Sequence, residues 1–266
     1  MSSSTAADHT VSRAADLLRR ARQLTMPLMR VAVDTLPSEL RLMVGYHLGW
    51  YTADGSATTA RAGKGLRPAL VLAAAAAAGG RPTAALHAAA AVEMVHNFTL
   101  IHDDVMDGDT VRRGRPTVWR LWGVDDAVLV GDALHSLAIW TLADAPAGAL
   151  DAIARLEDAV IEVCLGQHRG HAADQHSGHA DGQHRGHAAG QHRGRAPGPE
   201  ALRHRNSALL GCACAMGALC AGAPTELVAA MDQLGRDLGH PRAAASARAG
   251  HATADLLALA ECVARA

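Results

Sequence analysis

An all-α fold is what this sequence predicts, and three observations carry the prediction. Apolar residues make up 49% of the 266-residue chain, while aromatics are only 3%. Alanine supplies much of the apolar share, and it has the best intrinsic helix propensity at no side-chain entropy cost. The β-branched and aromatic runs that strands favour are nearly absent. An all-β fold is excluded and a doubly wound α/β fold is disfavoured. The length suits one large domain, read here as residues 1–266.

The elements follow in order. Residues 11–34 place Leu17, Leu18, Leu24, Leu28 and Val31 at roughly helical spacing, with Pro27 expected to kink or divide the helix. Pro37, followed by Ser38-Glu39-Leu40, opens a second helix running to about Tyr51. The small, polar stretch from Thr52 to Gly63 reads as a loop. A third helix starts near Arg67-Pro68, contains six consecutive alanines (73–78) and stops at Gly79-Gly80. Residues 83–107 form the longest periodic segment, carrying Leu86, Ala90, Met94, Phe98 and Ile101. Residues 116–143 and 149–165 read as further helices. Helical character resumes near Glu200, continues through Leu219, returns over Leu227–Leu238 and closes with an amphipathic segment, Ala252–Ala264.

Residues 167–198 interrupt this pattern with an eight-residue unit in four copies: QHRGHAAD, QHSGHADG, QHRGHAAG and QHRGRAPG. The unit has no large apolar residue, so it cannot bury a core and is expected to be a disordered insertion. Seven of the sixteen histidines lie in it. Weak binding of Zn²⁺, Ni²⁺ or Cu²⁺ by imidazoles is the functional reading. A tandem duplication without function is the preferred one, because nothing in the repeat fixes a ligand geometry.

A formal net charge of −1, from 25 basic and 26 acidic side chains, gives no global field for nucleic acid or an anionic membrane. The five cysteines are an odd number in a chain too long for a small disulfide scaffold. Met1–Asp8 lacks a basic region followed by an apolar core, so no secretory signal is expected. The longest uncharged stretch, Asn206–Thr225, is mostly Ala, Gly and Cys and reads as a buried helix, not a membrane span. Cys212, Cys214 and Cys220 in it are read as small buried residues. A cytoplasmic protein is the expectation.

The chemistry is concentrated between Lys64 and Arg115. In His96-Asn-Phe-Thr-Leu-Ile-His-Asp-Asp-Val-Met-Asp107, Asp103 and Asp107 are four apart and share a helix face, with Asp104 beside them. Three carboxylates at a helix C-terminus repel one another and face the negative end of the macrodipole. Hard oxygen donors without a nearby cysteine favour Mg²⁺ over zinc. Asp109 adds charge in the following turn, and Arg112, Arg113 and Arg115 come next. Acid cluster, short turn and arginine cluster together suit a magnesium-bridged diphosphate, onto whose oxygens guanidinium groups fork. Upstream, Gly63-Lys64-Gly65-Leu66-Arg67-Pro68 holds the single lysine of the chain against 24 arginines. Glu93 shares a helix face with His96 and reads either as a group behind the site or as a solvated one.

Residues 61–138 resemble the trans-isoprenyl diphosphate synthase, or polyprenyl synthetase, family. GKGLRP is similar to its GKRxRP segment, EMVHNFTLIHDDVMD to its first aspartate-rich DDxxD helix, and DTVRRGRPTVW to the turn after it. VGDALHSLA resembles the next family helix. The resemblance implies an all-α bundle around a deep cavity. It also implies head-to-tail condensation of isopentenyl diphosphate with an allylic diphosphate, dependent on Mg²⁺. Carried over to this chain, Asp103 and Asp107 are the magnesium ligands, with Asp104 supporting them. Arg112 holds the allylic diphosphate, and Lys64, Arg67, His96 and Arg113 hold isopentenyl diphosphate. Phe98, five residues before Asp103, floors the cavity and limits the product to C15–C20.

The second half departs from the family. Gly166-Gln167 resembles a family GQ step, but the repeat follows it, and Arg205-Asn206 stand where a Lys-Thr pair belongs. Met231–Gly239 resembles the approach to the second aspartate-rich motif, yet His240-Pro241 follows and the motif is missing. An internal deletion near 239–240 is the reading. Asp232 and Asp237 lie about 140° apart on a helix, and Asp125-Asp126 falls in an expected turn, so neither pair replaces it. Two functions therefore stand. One is a prenyltransferase, intact or impaired, that forms a homodimer or a heteromer with another prenyl synthase. The other is a non-catalytic relative that associates with a complete synthase.

Overall fold

The computed structural model describes residues 2–58, 63–146, 148–177, 199–238 and 253–264. Ten α-helices and one two-residue-strand hairpin make up its elements, in the order α1 (Ser2–Asp34), α2 (Ser38–His47), α3 (Leu66–Ala77), α4 (Leu86–Asp107), β1 (Val111–Arg112), β2 (Arg115–Pro116), α5 (Val118–Trp122), α6 (Val124–Ala143), α7 (Ala149–Ser177), α8 (Pro199–Cys220), α9 (Thr225–Leu238) and α10 (Ala254–Ala264). The all-α expectation holds. A single 3₁₀ turn, Pro82–Ala85, leads into α4.

Small residues let these helices approach closely. α8 packs against α3, α4, α7 and α9, while α4 pairs with α3 and α6. At the α3–α8 crossing a Cβ on Gly217 would lie 2.2 Å from the Val71 carbonyl oxygen. At the α8–α9 crossing a Cβ on Gly235 would lie 2.2 Å from the Leu210 carbonyl oxygen. Ala69, Ala73, Ala74 and Ala75 of α3 and Ala88, Ala89, Ala90 and Ala91 of α4 are buried, and one apolar cluster runs from Ala21 of α1 to Ala260 of α10. Cys212 and Cys214 are buried within it as expected, whereas Cys220, at the end of α8, is only partly buried.

Local signals fail in four places. Pro27 does not divide α1, which is continuous from Ser2 to Asp34. An interior proline costs ~3 kcal/mol, but Ala21, Met29, Ala32 and Val33 on both sides of it are buried against the same core. The expected single helix 116–143 is instead the end of the hairpin followed by α5 and α6, parted at Gly123 with φ +100°. That break places Asp125 and Asp126 in the first turn of α6, not in a loop. There the positive end of the macrodipole favours carboxylates. Finally, the first residues of the repeat, through Ser177, continue α7. Gln, His, Arg and Ala extend a helix once it is nucleated, and Gln167 is buried. The rest of the repeat, 178–198, and the expected deletion point at 239–240 lie outside the described residues.

Pro82–Asp107 and α6 are long and apolar enough to cross a bilayer by length and composition. Within this fold α4 is a core helix that ends in three carboxylates, so it is not read as a span.

Candidate functional site

Gly108, in the left-handed conformation at φ +69°, stops α4 directly after Asp107. The aspartates therefore occupy the last turn, and Asp103, Asp104 and Asp107 are 4%, 1% and 8% exposed. Arg112 Nε of β1 donates to Asp104 Oδ1 at 2.6 Å, and Arg112 Nη2 lies 3.6 Å from Asp109 Oδ2. Burial pushes the Asp104 carboxyl up to about 6 against the pull of Arg112. Asp104 Oδ2 is buried with no hydrogen-bond partner. On the α7 side, Cys164 lies close enough to Asp103 that burial, and then that carboxylate, raise its thiol pKa.

An orphaned buried carboxylate oxygen beside two more carboxylates fits a hard cation. Among the described residues, however, no three His, Cys, Asp or Glu side chains converge on one metal position. One helix end thus supplies only part of a coordination shell. That suits Mg²⁺, which takes one or two carboxylates and completes its octahedron with water and phosphate oxygens.

A second feature lies on the other side of the hairpin. Gly63, Lys64, Arg67, Glu93, His96 and Arg113 line a cavity of about 620 Å³. Arg67, in the first turn of α3, is buried, and desolvation draws its guanidinium down to about 10 while Glu93 opposes the shift. Arg113 reaches the cavity from the hairpin turn. Its φ of +54°, followed by Gly114 at φ +77°, is the two-residue turn geometry that connects twisted strands. His96 is held well below its ordinary pKa by burial and then by Arg67 and Arg113, so it is a neutral imidazole. Lys64 stands exposed at the rim.

The structure thus brings Lys64, Arg67, His96 and Arg113 to one cavity, and Asp103, Asp104, Asp107 and Arg112 to one helix end. Phe98 joins neither group; it stacks on His135 of α6 at a centroid distance of 5.2 Å and meets His102 edge-on at 4.9 Å. Arg115 joins neither group. Its Nη1 and Nη2 donate to the carbonyls of Tyr46 (3.1 Å) and Tyr51 (2.8 Å), and its guanidinium lies over the Tyr46 ring. It ties the hairpin to the end of α2. Asp232 is engaged by Arg236 (2.5 Å) and Arg155 (3.5 Å), and Asp237 accepts from Gln233.

Sequence reasoning missed His47 and Asn97. His47 Nε2 donates to Asn97 Oδ1 at 3.2 Å, and Asn97 Nδ2 donates to the Glu93 carbonyl at 2.8 Å. The available signal was Glu93 and Asn97 one turn apart on α4, with His96 between them. Glu93 is not a solvated surface acid: burial raises its carboxyl pKa while Arg67 and Arg113 lower it.

The polyprenyl synthetase family profile matches residues 50–241. The chain belongs to the polyprenyl synthetase family. It is 43% identical over 225 residues to a geranylgeranyl diphosphate synthase of Mycobacterium tuberculosis, covering 84% of this chain and 60% of the relative. It is 39% identical over 232 residues to a (2E,6E)-farnesyl diphosphate synthase of Mycobacterium bovis, covering 87% and 61%. The crystal structure of a polyprenyl synthetase from Streptomyces coelicolor superimposes with a TM-score of 0.73 at 36% identity, covering 85% of this chain and 63% of that one. This polyprenyl synthetase family member thus spans about 60% of the length of the curated relatives it matches.

Proposed function

We propose that this chain is a trans-prenyltransferase that condenses isopentenyl diphosphate with an allylic diphosphate to give a C15–C20 prenyl diphosphate. One observation carries the reading. Consecutive residues of a single hairpin, Arg112 and Arg113, serve the two halves of the site, the first bound to Asp104 at the carboxylate end and the second lining the cavity with Lys64 and Arg67. Such a hairpin sets two diphosphates side by side. The names of the relatives, geranylgeranyl and farnesyl diphosphate synthases, agree in product size.

In this reading Arg112 binds the allylic diphosphate, while Lys64, Arg67, Arg113 and neutral His96 bind that of isopentenyl diphosphate. Asp103 and Asp107 would hold Mg²⁺, with Asp104 orienting Arg112, and the metal would neutralise the departing diphosphate. Fixed cations in a water-poor site lower the cost of that departing charge. Proximity then lets the isopentenyl double bond attack the allylic carbon, and loss of a proton completes the step. Phe98, braced by His135, sets the chain-length limit.

A second reading has its own observation: after Met231–Gly239, where a second aspartate-rich motif is expected, His240-Pro241 follows. It is a non-catalytic subunit whose α6 face, with Val128, Leu129 and Trp140 exposed, packs on a complete synthase or on its own copy. A cytoplasmic location goes with either reading, and all five cysteines are free.

A product assay separates them. Purified chain, Mg²⁺, isopentenyl diphosphate and dimethylallyl, geranyl or farnesyl diphosphate should yield C15–C20 product that Asp103→Ala abolishes and Phe98→Ala lengthens. No turnover from folded, monodisperse protein sinks the enzyme reading and leaves the subunit.

A further inference from the structure

Among the six cavity-lining residues named above, Glu93 is the only acid among Lys64, Arg67 and Arg113. An empty anion site of this kind has a physical difficulty, because like charges from different elements repel until the ligand arrives. Arg67 comes from α3 and Arg113 from a hairpin turn whose positive φ an L-residue resists. Their side chains need something to hold them inward.

Glu93 sits where it can do so. A Cβ built on Gly63 would lie 3.2 Å from Arg113 Nη2 and 3.3 Å from Glu93 Oε1, so both groups converge over one point of the 63–65 loop. Arg22 of α1 donates to the Gly63 carbonyl at 3.3 Å and fixes that loop. The helix turn that carries Glu93 is anchored in turn. Asn97, one turn later on α4 and 1% exposed, hydrogen-bonds to the Glu93 carbonyl and accepts from His47 of α2.

We infer that Glu93 is the positioning residue of the diphosphate cavity, its carboxylate holding Arg67 and Arg113 aimed at the anion and the Asn97–His47 pair bracing the helix turn that carries it. This rests on the reading of the cavity as the isopentenyl diphosphate site. Gathering the guanidiniums beforehand removes ordering cost from binding, which is how preorganisation raises affinity.

The test is calorimetric titration of the full chain with isopentenyl diphosphate, without metal. Glu93→Gln, which keeps shape and loses charge, should weaken binding about tenfold with an unchanged circular dichroism spectrum, and Glu93→Asp should recover part of the loss. In an Arg113→Ala background the effect of Glu93→Gln should shrink to less than about threefold, since coupled groups are not additive. Equal or tighter binding by Glu93→Gln, or an undiminished effect in the Arg113→Ala background, overturns the proposal and leaves the cavity reading standing. Folded wild-type chain that does not bind isopentenyl diphosphate overturns both. If Glu93→Gln fails to fold, Glu93→Asp in the two backgrounds decides.

Discussion

Arg112 and Asp104 lie eight residues apart and are joined by a 2.6 Å hydrogen bond, which latches the hairpin to the helix end that it follows. Asp104 is 1% exposed, so the two partners are not equivalent. Removing the arginine strands a buried carboxylate, whereas changing the acid to its amide leaves a neutral group and a more exposed cation. Arg112→Ala is therefore expected to cost about 3 kcal/mol and Asp104→Asn about 1 kcal/mol. Urea unfolding of both variants checks the order. Equal costs would show that the pair does not latch the hairpin.

Arg113 and Arg115 are close in sequence and opposite in role. Arg113 holds a left-handed backbone, and Arg113→Asn creates the Asn-Gly pair that this turn type prefers. Its stability should rise by about 0.5–1 kcal/mol, while affinity for isopentenyl diphosphate falls at least about tenfold. Arg115→Ala strips two hydrogen bonds and a ring contact from the end of α2. It should cost about 2–3 kcal/mol and leave diphosphate binding nearly unchanged per folded molecule. Melting curves and titrations on both variants read the two effects separately, and a shared phenotype would refute the division.

The carboxylate end was legible because its signal is local. Asp103 and Asp107 need only helical spacing to share a face. The helices were legible because alanine-rich segments have few alternatives. What the sequence hid depends on contacts across the fold. Arg115 sits in the same arginine cluster as Arg112 and Arg113, and only the position of α2 turns it away from the cavity. His47 meets Asn97 from fifty residues away. Pro27 obeys no local rule because burial on both sides outweighs the missing hydrogen bond. The split at Gly123 was masked because residues on both of its flanks are helical.

Gly217 tests the close helix packing. Alanine in a helix interior gains about 1 kcal/mol over glycine, yet its Cβ would lie 2.2 Å from the Val71 carbonyl and 2.8 Å from the Ala74 Cβ. The obstacle includes backbone of α3, which cannot rotate aside as a side chain could. Forcing two packed helices apart outweighs the propensity gain, so Gly217→Ala should destabilise by about 2–3 kcal/mol. Gly222→Ala is not an informative control because of its positive φ. Ala218→Gly is a cleaner one, since it removes a buried methyl from the neighbouring position of α8 without a clash. A stabilised Gly217→Ala would mean that α3 and α8 do not approach this closely.

His47 sets an acid limit on stability. Burial, then the charges of Arg113, Arg112 and Arg115, lower its pKa from 6.5 to about 3, with the Asn97 hydrogen bond opposing them. The folded chain thus keeps this imidazole neutral while the unfolded chain protonates it below 6.5. A depressed folded pKa means the contribution is complete above 6.5 and is lost as pH falls from there toward about 3. The slope is up to about 1.4 kcal/mol per pH unit for the one proton, with His96 acting in the same direction. His47→Gln preserves a donor to Asn97 Oδ1 and removes the titration. Between pH 6.5 and 4.5 its unfolding free energy should fall by roughly 2 kcal/mol less than that of the wild type. Urea unfolding across that range decides, and parallel pH profiles would show that His47 takes up its proton in the folded chain.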